Sequence, residues 1–343
     1  MFWKGNKDMS DIITKCSYID MHCDSLCRGF RENDPDSLFD GKGMQSISLM
    51  AKAQQLCQFF AVFFPPRKGD TLFDYQDRPL PQDDEYFNIM RDSLLKEVKI
   101  HSDVIDMAYC SSDIITNRKA GKCSAVLTIE DGRMVNGEID KLSKLYESGV
   151  RAIALTWNCP NCFGSPNSCD PKIMNKGLTD FGRDAVREMN RLGIMVDVSH
   201  LSDGGFRDVY DVSEKPFIAS HSDCRALTSQ PRNLTDEMIR MIAEKSGVIG
   251  VNLEETFCTP DGHDIDCRIE YLVEHVLHLL KVGGEDVIGI GSDYDGIENA
   301  GELHDPTYMY KLFDALRKNG MTSVQIAKME SGNVLRVMRD VIG

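Results

Sequence analysis

An alternation constrains this chain most: eight short apolar, β-branched runs recur along it, separated by longer amphipathic stretches. The runs are Tyr18 to Met21, Gln58 to Phe64, Cys123 to Ile129, Ala152 to Thr156, Met195 to Val198, Phe217 to Ser220, Val248 to Val251 and Val287 to Gly291. The helical stretches include Glu85 to Met107, Gly137 to Ser148, Thr179 to Leu192, Thr235 to Lys245 and Cys267 to Lys281, several opening at a Thr or Asp suited to cap a helix. Runs this apolar are buried on both faces, as parallel strands under helices are. The expectation is an α/β chain closed into a TIM-type (β/α)8 barrel, with strand ends near 22, 64, 130, 156, 199, 220, 251 and 292. An open doubly wound sheet is the structural rival. A barrel of roughly 250 residues with insertions accounts for the length. No repeat, low-complexity tract or linker divides the chain, so residues 1–343 read as one domain. The segment Pro65 to Asp84, rich in Pro and Asp, reads as an excursion after the second strand.

Charge narrows the partners. Against 39 Lys+Arg stand 54 Asp+Glu, a formal charge of −15, which repels phosphate backbones and anionic lipid headgroups. Neither nucleic acid nor a membrane is an expected partner. The opening MFWKGNKDMSDIITKC lacks the apolar core of a secretory signal, and no run is long enough to span a bilayer. The expected compartment is cytoplasmic and reducing, with most of the twelve Cys as thiols. Cys159, Cys162 and Cys169 form the densest cluster, and the C-x-x-C spacing of the first pair suits a structural metal or a disulfide. A complete zinc site wants four ligands, however, and no second pair follows.

In an α/β barrel the active site is built at the C-terminal ends of the strands. The first run leads into Asp20-Met21-His22-Cys23-Asp24, where i, i+2 spacing in extended backbone turns His22 and Asp24 to one side. The third ends at Glu130-Asp131-Gly132, the fifth at Ser199-His200, the sixth at Ser220-His221 and the eighth at Ser292-Asp293-Tyr294-Asp295. Only eight His exist, and three follow predicted strands. His101, His275 and His278 fall on helical patterns, and His263 and His304 in polar connections. Taken singly, each of these groups reads as a hydrogen-bonded loop or pocket residue. Together on one rim, the carboxylates repel strongly unless cations neutralise them. Imidazole with carboxylate suits Zn²⁺ or another borderline divalent ion. Two such ions sharing a carboxylate would activate water and polarise a carbonyl, which is the chemistry of hydrolysis.

The blocks IDMHCDSL, LTIEDG, VDVSHLSD, FIASHSDCRAL, PRNLTDEMI and IGIGSDYDGI resemble, in order and approximate spacing, those of the renal (membrane) dipeptidase family of amidohydrolase-type barrels. The resemblance runs from about Ile19 to the C-terminus. It implies a dipeptidase that cleaves dipeptides to free amino acids through a metal-bridging hydroxide, with two Zn²⁺ ions per chain. His22 and Asp24 would bind one ion, His200 and His221 the other, and Glu130 would bridge both. It further implies that Arg232 grips the substrate carboxylate, that Asp293 moves the proton, and that the protein is a homodimer. Asp295 reads instead as a loop-capping carboxylate. One departure stands out: many members carry Thr-His after the fourth strand, whereas this chain reads Thr156-Trp157-Asn158. Trp157 carries no charge, so oxyanion stabilisation would fall to the metals, Asn158 or water. Trp157 packing against substrate or rim is the plainer reading. A different small amide or lactone as substrate, and a non-catalytic metal-binding barrel, are the alternatives.

Overall fold

The structure, a computed structural model, describes residues 17–32, 37–65, 80–260 and 268–343. Its strands are β1 (Ile19–Cys23), β2 (Cys57–Phe63), β3 (Ile105–Met107), β4 (Cys123–Glu130), β5 (Val150–Ala154), β6 (Met195–Asp197), β7 (Ile218–Ala219), β8 (Val248–Val251) and β9 (Ile288–Ile290). All pairings between them are parallel. Eight strands close into a ring, because β2 pairs with β4 from Cys57↔Ser124 to Phe63↔Glu130 while β9 returns to β1 at Asp20↔Ile290. These two pairings decide for the barrel over the open sheet. β3 lies outside the ring on β4 alone.

The eight ring strands fall on the eight apolar runs. These strands are buried at every position because one face meets the barrel interior and the other the helical layer. Helices begin where a hydroxyl satisfies an otherwise unpaired N–H: Thr179 Oγ1 accepts from Gly182 N, Ser202 Oγ from Gly205 N, and Thr235 Oγ1 from Met238 N. One expected helix, Glu85 to Met107, is divided. The helix runs Asp83–Ile100, and Ile105–Met107 pairs instead with the start of β4. The excursion expected at Pro65 to Asp84 lies mostly outside the described residues, as do His263 and Cys267.

The C-terminal helix Asn333–Val341 positions the site from below. Its Val334, Val337, Met338 and Val341 pack with Ile19, Cys57, Met195, Ile218 and Val248, which open their strands. Each such buried side chain contributes about 1.5–3 kcal/mol. The N-terminal mouth of the barrel is thereby filled with hydrocarbon. At the opposite mouth backbones approach closely: a Cβ on Gly291 or Gly250 would overlap the Ser220 carbonyl, so β7, β8 and β9 meet only because glycine stands there.

Candidate metal centre

The rim residues come from five strand ends. β1 carries His22 as its penultimate residue and Asp24 just past its end. Glu130 ends β4, while His200, His221 and Asp293 follow β6, β7 and β9. His200 (φ 67) and Asp293 (φ 65) hold left-handed backbone, as do Asp131 (φ 70) and Asp295 (φ 67) beside them. Left-handed non-glycine residues cost on the order of 1–3 kcal/mol and persist only where surrounding structure over-determines them. Four of them at one rim mark it as the strained, functional end of the barrel.

The side chains converge on Glu130. Its Oε2 lies 3.4 Å from His22 Nε2, and its Oε1 lies 3.0 Å from His200 Nε2 and 3.5 Å from His221 Nε2. His22 Nε2 is also 3.7 Å from Asp24 Oδ1 and 3.7 Å from Asp293 Oδ1. The His22 and His221 rings stack at 3.8 Å, and the Nε2 atoms of His200 and His221 stand 3.1 Å apart. Among the described residues, two overlapping sets have donor atoms gathered closely enough for one ion: His22, Glu130 and His221, and His22, Asp24 and Asp293. Buried His22 Nε2 and Asp24 Oδ1 have no hydrogen-bond partner, as expected of ligands whose lone pairs serve a cation.

Burial dominates the electrostatics. It pushes the Glu130 carboxyl up to about 8, with Asp24 adding repulsion, and the Asp293 carboxyl up to about 6. At His22 burial acts to lower the pKa, but Glu130 and Asp24 outweigh it and hold it well above 6.5. The His200 and His221 pKa values fall well below 6.5 through burial, then through the Arg232 and His22 charges, leaving neutral rings able to act as ligands.

Around the centre lies a set of residues that the sequence reading passed over. Asp20 Oδ1 accepts from His22 N (3.2 Å) and Ser292 N (2.9 Å), and Asp20 Oδ2 from Ser292 Oγ (2.5 Å). Asp197 Oδ1 accepts from Ser199 N and Ser220 N, both at 3.0 Å, and Asp197 Oδ2 from Ser220 Oγ (2.5 Å). Asn252 Nδ2 donates to Asp293 Oδ2 at 3.1 Å. One signal for Asn252 was available: it is the polar residue that ends the VIGV run of β8, the kind of position a barrel reserves for function.

The cavity over the centre measures about 740 Å³ and is lined by, among others, Asp24, Glu130, Trp157, Asn158, His200 and Asp293. Trp157 packs edge-on against Phe63 at 5.0 Å, with Cys27 completing an apolar patch. Asn158 Oδ1 lies 3.3 Å from His200 Nδ1. Arg232 is buried, donating from Nη1 to Ser222 Oγ (2.6 Å) and from Nη2 to the His221 carbonyl (2.7 Å), with Phe257 5.7 Å away. Its Nε has no hydrogen-bond partner. Asp295 accepts from Ser25 Oγ (2.6 Å) and Met44 N (2.7 Å) and pairs with Arg28 at 3.2 Å. No disulfide joins Cys159, Cys162 and Cys169, and among the described residues they belong to neither metal-competent set. Of the other histidines, His275 is satisfied between Cys224 N and the Cys258 carbonyl, and His278 binds Asp236.

A closed parallel barrel with buried imidazoles and carboxylates gathered at its C-terminal rim is the architecture of a metal-dependent hydrolase. Comparison with known proteins makes this specific. The profile of the membrane dipeptidase family, peptidase family M19, matches residues 6–342. An "Uncharacterized dipeptidase" of Schizosaccharomyces pombe is 32% identical over 301 residues, covering 84% of this chain and 70% of that protein. Among solved structures, a "dipeptidase AC" of family M19 superposes with a TM-score of 0.86 at 28% identity, covering 96% of this chain and 99% of its own. A metallopeptidase from Rhodobacter sphaeroides, liganded with a phosphinate mimic of the dipeptide L-Ala-D-Ala, has a TM-score of 0.85 at 27% identity, covering 95% and 99%. The chain belongs to the membrane dipeptidase family and is a metallodipeptidase of its M19 type. Among the described residues no helix is long and apolar enough to cross a membrane.

Proposed function

We propose that this metallodipeptidase cleaves dipeptides to free amino acids with two zinc ions, His22 and Asp24 binding one, His200 and His221 the other, and Glu130 giving an oxygen to each. The observation that carries this reading is the division of Glu130: Oε2 faces His22, while Oε1 faces His200 and His221. A donor set of imidazole and carboxylate without thiolate suits zinc. When bound, the ions supply a water activated at neutral pH and polarise the scissile carbonyl.

This chain's own groups bind, orient and move the proton. Asp293 Oδ2 is held by the Asn252 amide, which leaves Oδ1 as the oxygen that takes the water's proton and passes it to the leaving amine. Arg232 receives the substrate's terminal carboxylate. The His221 carbonyl and Ser222 hydroxyl fix its guanidinium plane, and the unpartnered Nε lies on its donor edge. Trp157 and Phe63 form an apolar wall for a side chain. Asn158, whose amide oxygen faces His200 Nδ1, orients that ring rather than serving an oxyanion. The dipeptide mimic on the Rhodobacter relative supports trying L,D-dipeptides first.

The test is amino-acid release from L,L- and L,D-dipeptides and matched tripeptides, by zinc-loaded protein before and after chelation. Metal-dependent cleavage confined to dipeptides supports the reading. Folded protein that binds two zinc ions yet releases nothing from any dipeptide overturns it.

A further inference from the structure

Ser220 stands between the Asp197 carboxylate and the His221 ring, and hydrogen counting gives this chain a direction. Asp197 Oδ1 is already engaged by two backbone N–H groups, and Oδ2 accepts from Ser220 Oγ at 2.5 Å. A hydroxyl has one hydrogen. With that hydrogen on Asp197, Ser220 Oγ can only accept from its other neighbours, His221 Nδ1 at 2.7 Å and Ser199 Oγ at 3.3 Å. The reverse arrangement, Ser220 donating to the ring, would leave a buried carboxylate oxygen without a donor, which is costly.

We propose that Asp197 and Ser220 are a positioning pair that keeps the His221 proton on Nδ1 and so presents the Nε2 lone pair to the metal centre. This rests on the reading of His221 as a metal ligand given above, and it adds the device that sets the ligand's tautomer. Asp20 and Ser292 form a matched pair on β1 and β9, with the same two backbone N–H groups and one hydroxyl on the carboxylate. There the serine reaches only backbone, the His22 carbonyl at 3.4 Å and Tyr294 N at 3.2 Å, so that pair fixes a turn and no ring.

Asp197→Asn separates direction from bulk. Two backbone N–H groups point at Oδ1, so the amide oxygen takes that place and the NH2 faces Ser220. The serine hydrogen is then released to His221 Nδ1, and the ring proton moves to Nε2. The experiment is tautomer assignment by ¹⁵N NMR on histidine-labelled, metal-free protein, together with zinc titration, for wild type, D197N, S220A and S292A. The expected result is Nδ1–H in wild type and S292A and Nε2–H in D197N, with D197N and S220A losing about 10–100-fold in affinity for one of two zinc ions while keeping their fold. Nε2–H in wild type, or Nδ1–H in D197N with wild-type zinc affinity, overturns the proposal. Should wild type take up no zinc, the two-ion reading falls, and the tautomer arm still decides the pair on its own.

Discussion

Glu130→Gln should stabilise the metal-free protein and destabilise the zinc-loaded one. In the metal-free fold, burial and the neighbouring Asp24 raise the Glu130 pKa from 4.5 to about 8. A carboxyl raised on folding contributes its full stability below 4.5 and loses it as pH climbs towards 8, because the unfolded chain releases the proton first. At about 1.4 kcal/mol per pH unit, the interval from 4.5 to 7 corresponds to a penalty of about 3 kcal/mol at neutral pH. Glutamine keeps the shape of the protonated carboxyl, and an amide that replaces its contact with His200 imperfectly returns about 1 kcal/mol. The net gain is about 2 kcal/mol, or about 3 °C in Tm for a chain of this size. Zinc reverses the order: at a free concentration 100 times Kd each site stabilises wild type by about 2.7 kcal/mol, whereas a neutral amide bridges poorly. The assay is urea and thermal unfolding at pH 4.5, 7 and 8.5, with chelator and with zinc. A chelated E130Q less stable than chelated wild type at pH 7, or a gap that fails to widen from pH 4.5 to 8.5, would refute the reasoning.

Three further changes probe separate parts of the site. Asp293→Asn should leave zinc content unchanged and lower kcat by about 10²–10⁴-fold, the range of a lost general acid–base group; zinc analysis beside steady-state kinetics checks both halves. Arg232→Lys should raise KM for dipeptides by about 10–100-fold, as expected for a lost bidentate charged contact. It should also shrink the preference for a dipeptide over its C-terminal amide, and an unchanged preference would place the substrate carboxylate elsewhere. Gly291→Ala drives a methyl into the Ser220 carbonyl and should cost on the order of 1–3 kcal/mol by urea unfolding, the scale of an overpacked core, whereas a neutral result would mean that β7 and β9 can separate freely.

The ring strands were legible because a barrel strand is buried on both faces, and the five rim ends were legible because polar side chains interrupt those runs abruptly. β3 was not, since Ile105–Met107 is too short to show a period and follows a helix without a strong stop. The outer residues were hidden for another reason: each partner comes from a neighbouring strand far away in sequence. Ser199, Ser220 and Ser292 immediately precede His200, His221 and Asp293, and a serine before a rim residue is unremarkable until the strand beside it is known. Ser220 finds Asp197 across the β6–β7 pairing, and Ser292 finds Asp20 across β9–β1. In an open sheet of the same strand order, with β9 unpaired from β1, Asp20 and Ser292 would be separated, and a buried aspartate would keep only the His22 N–H as donor. The choice between barrel and open sheet therefore bears directly on the site: closure supplies the hydrogen bonds that Asp20 needs, and through them sets the backbone beneath His22 and Asp293.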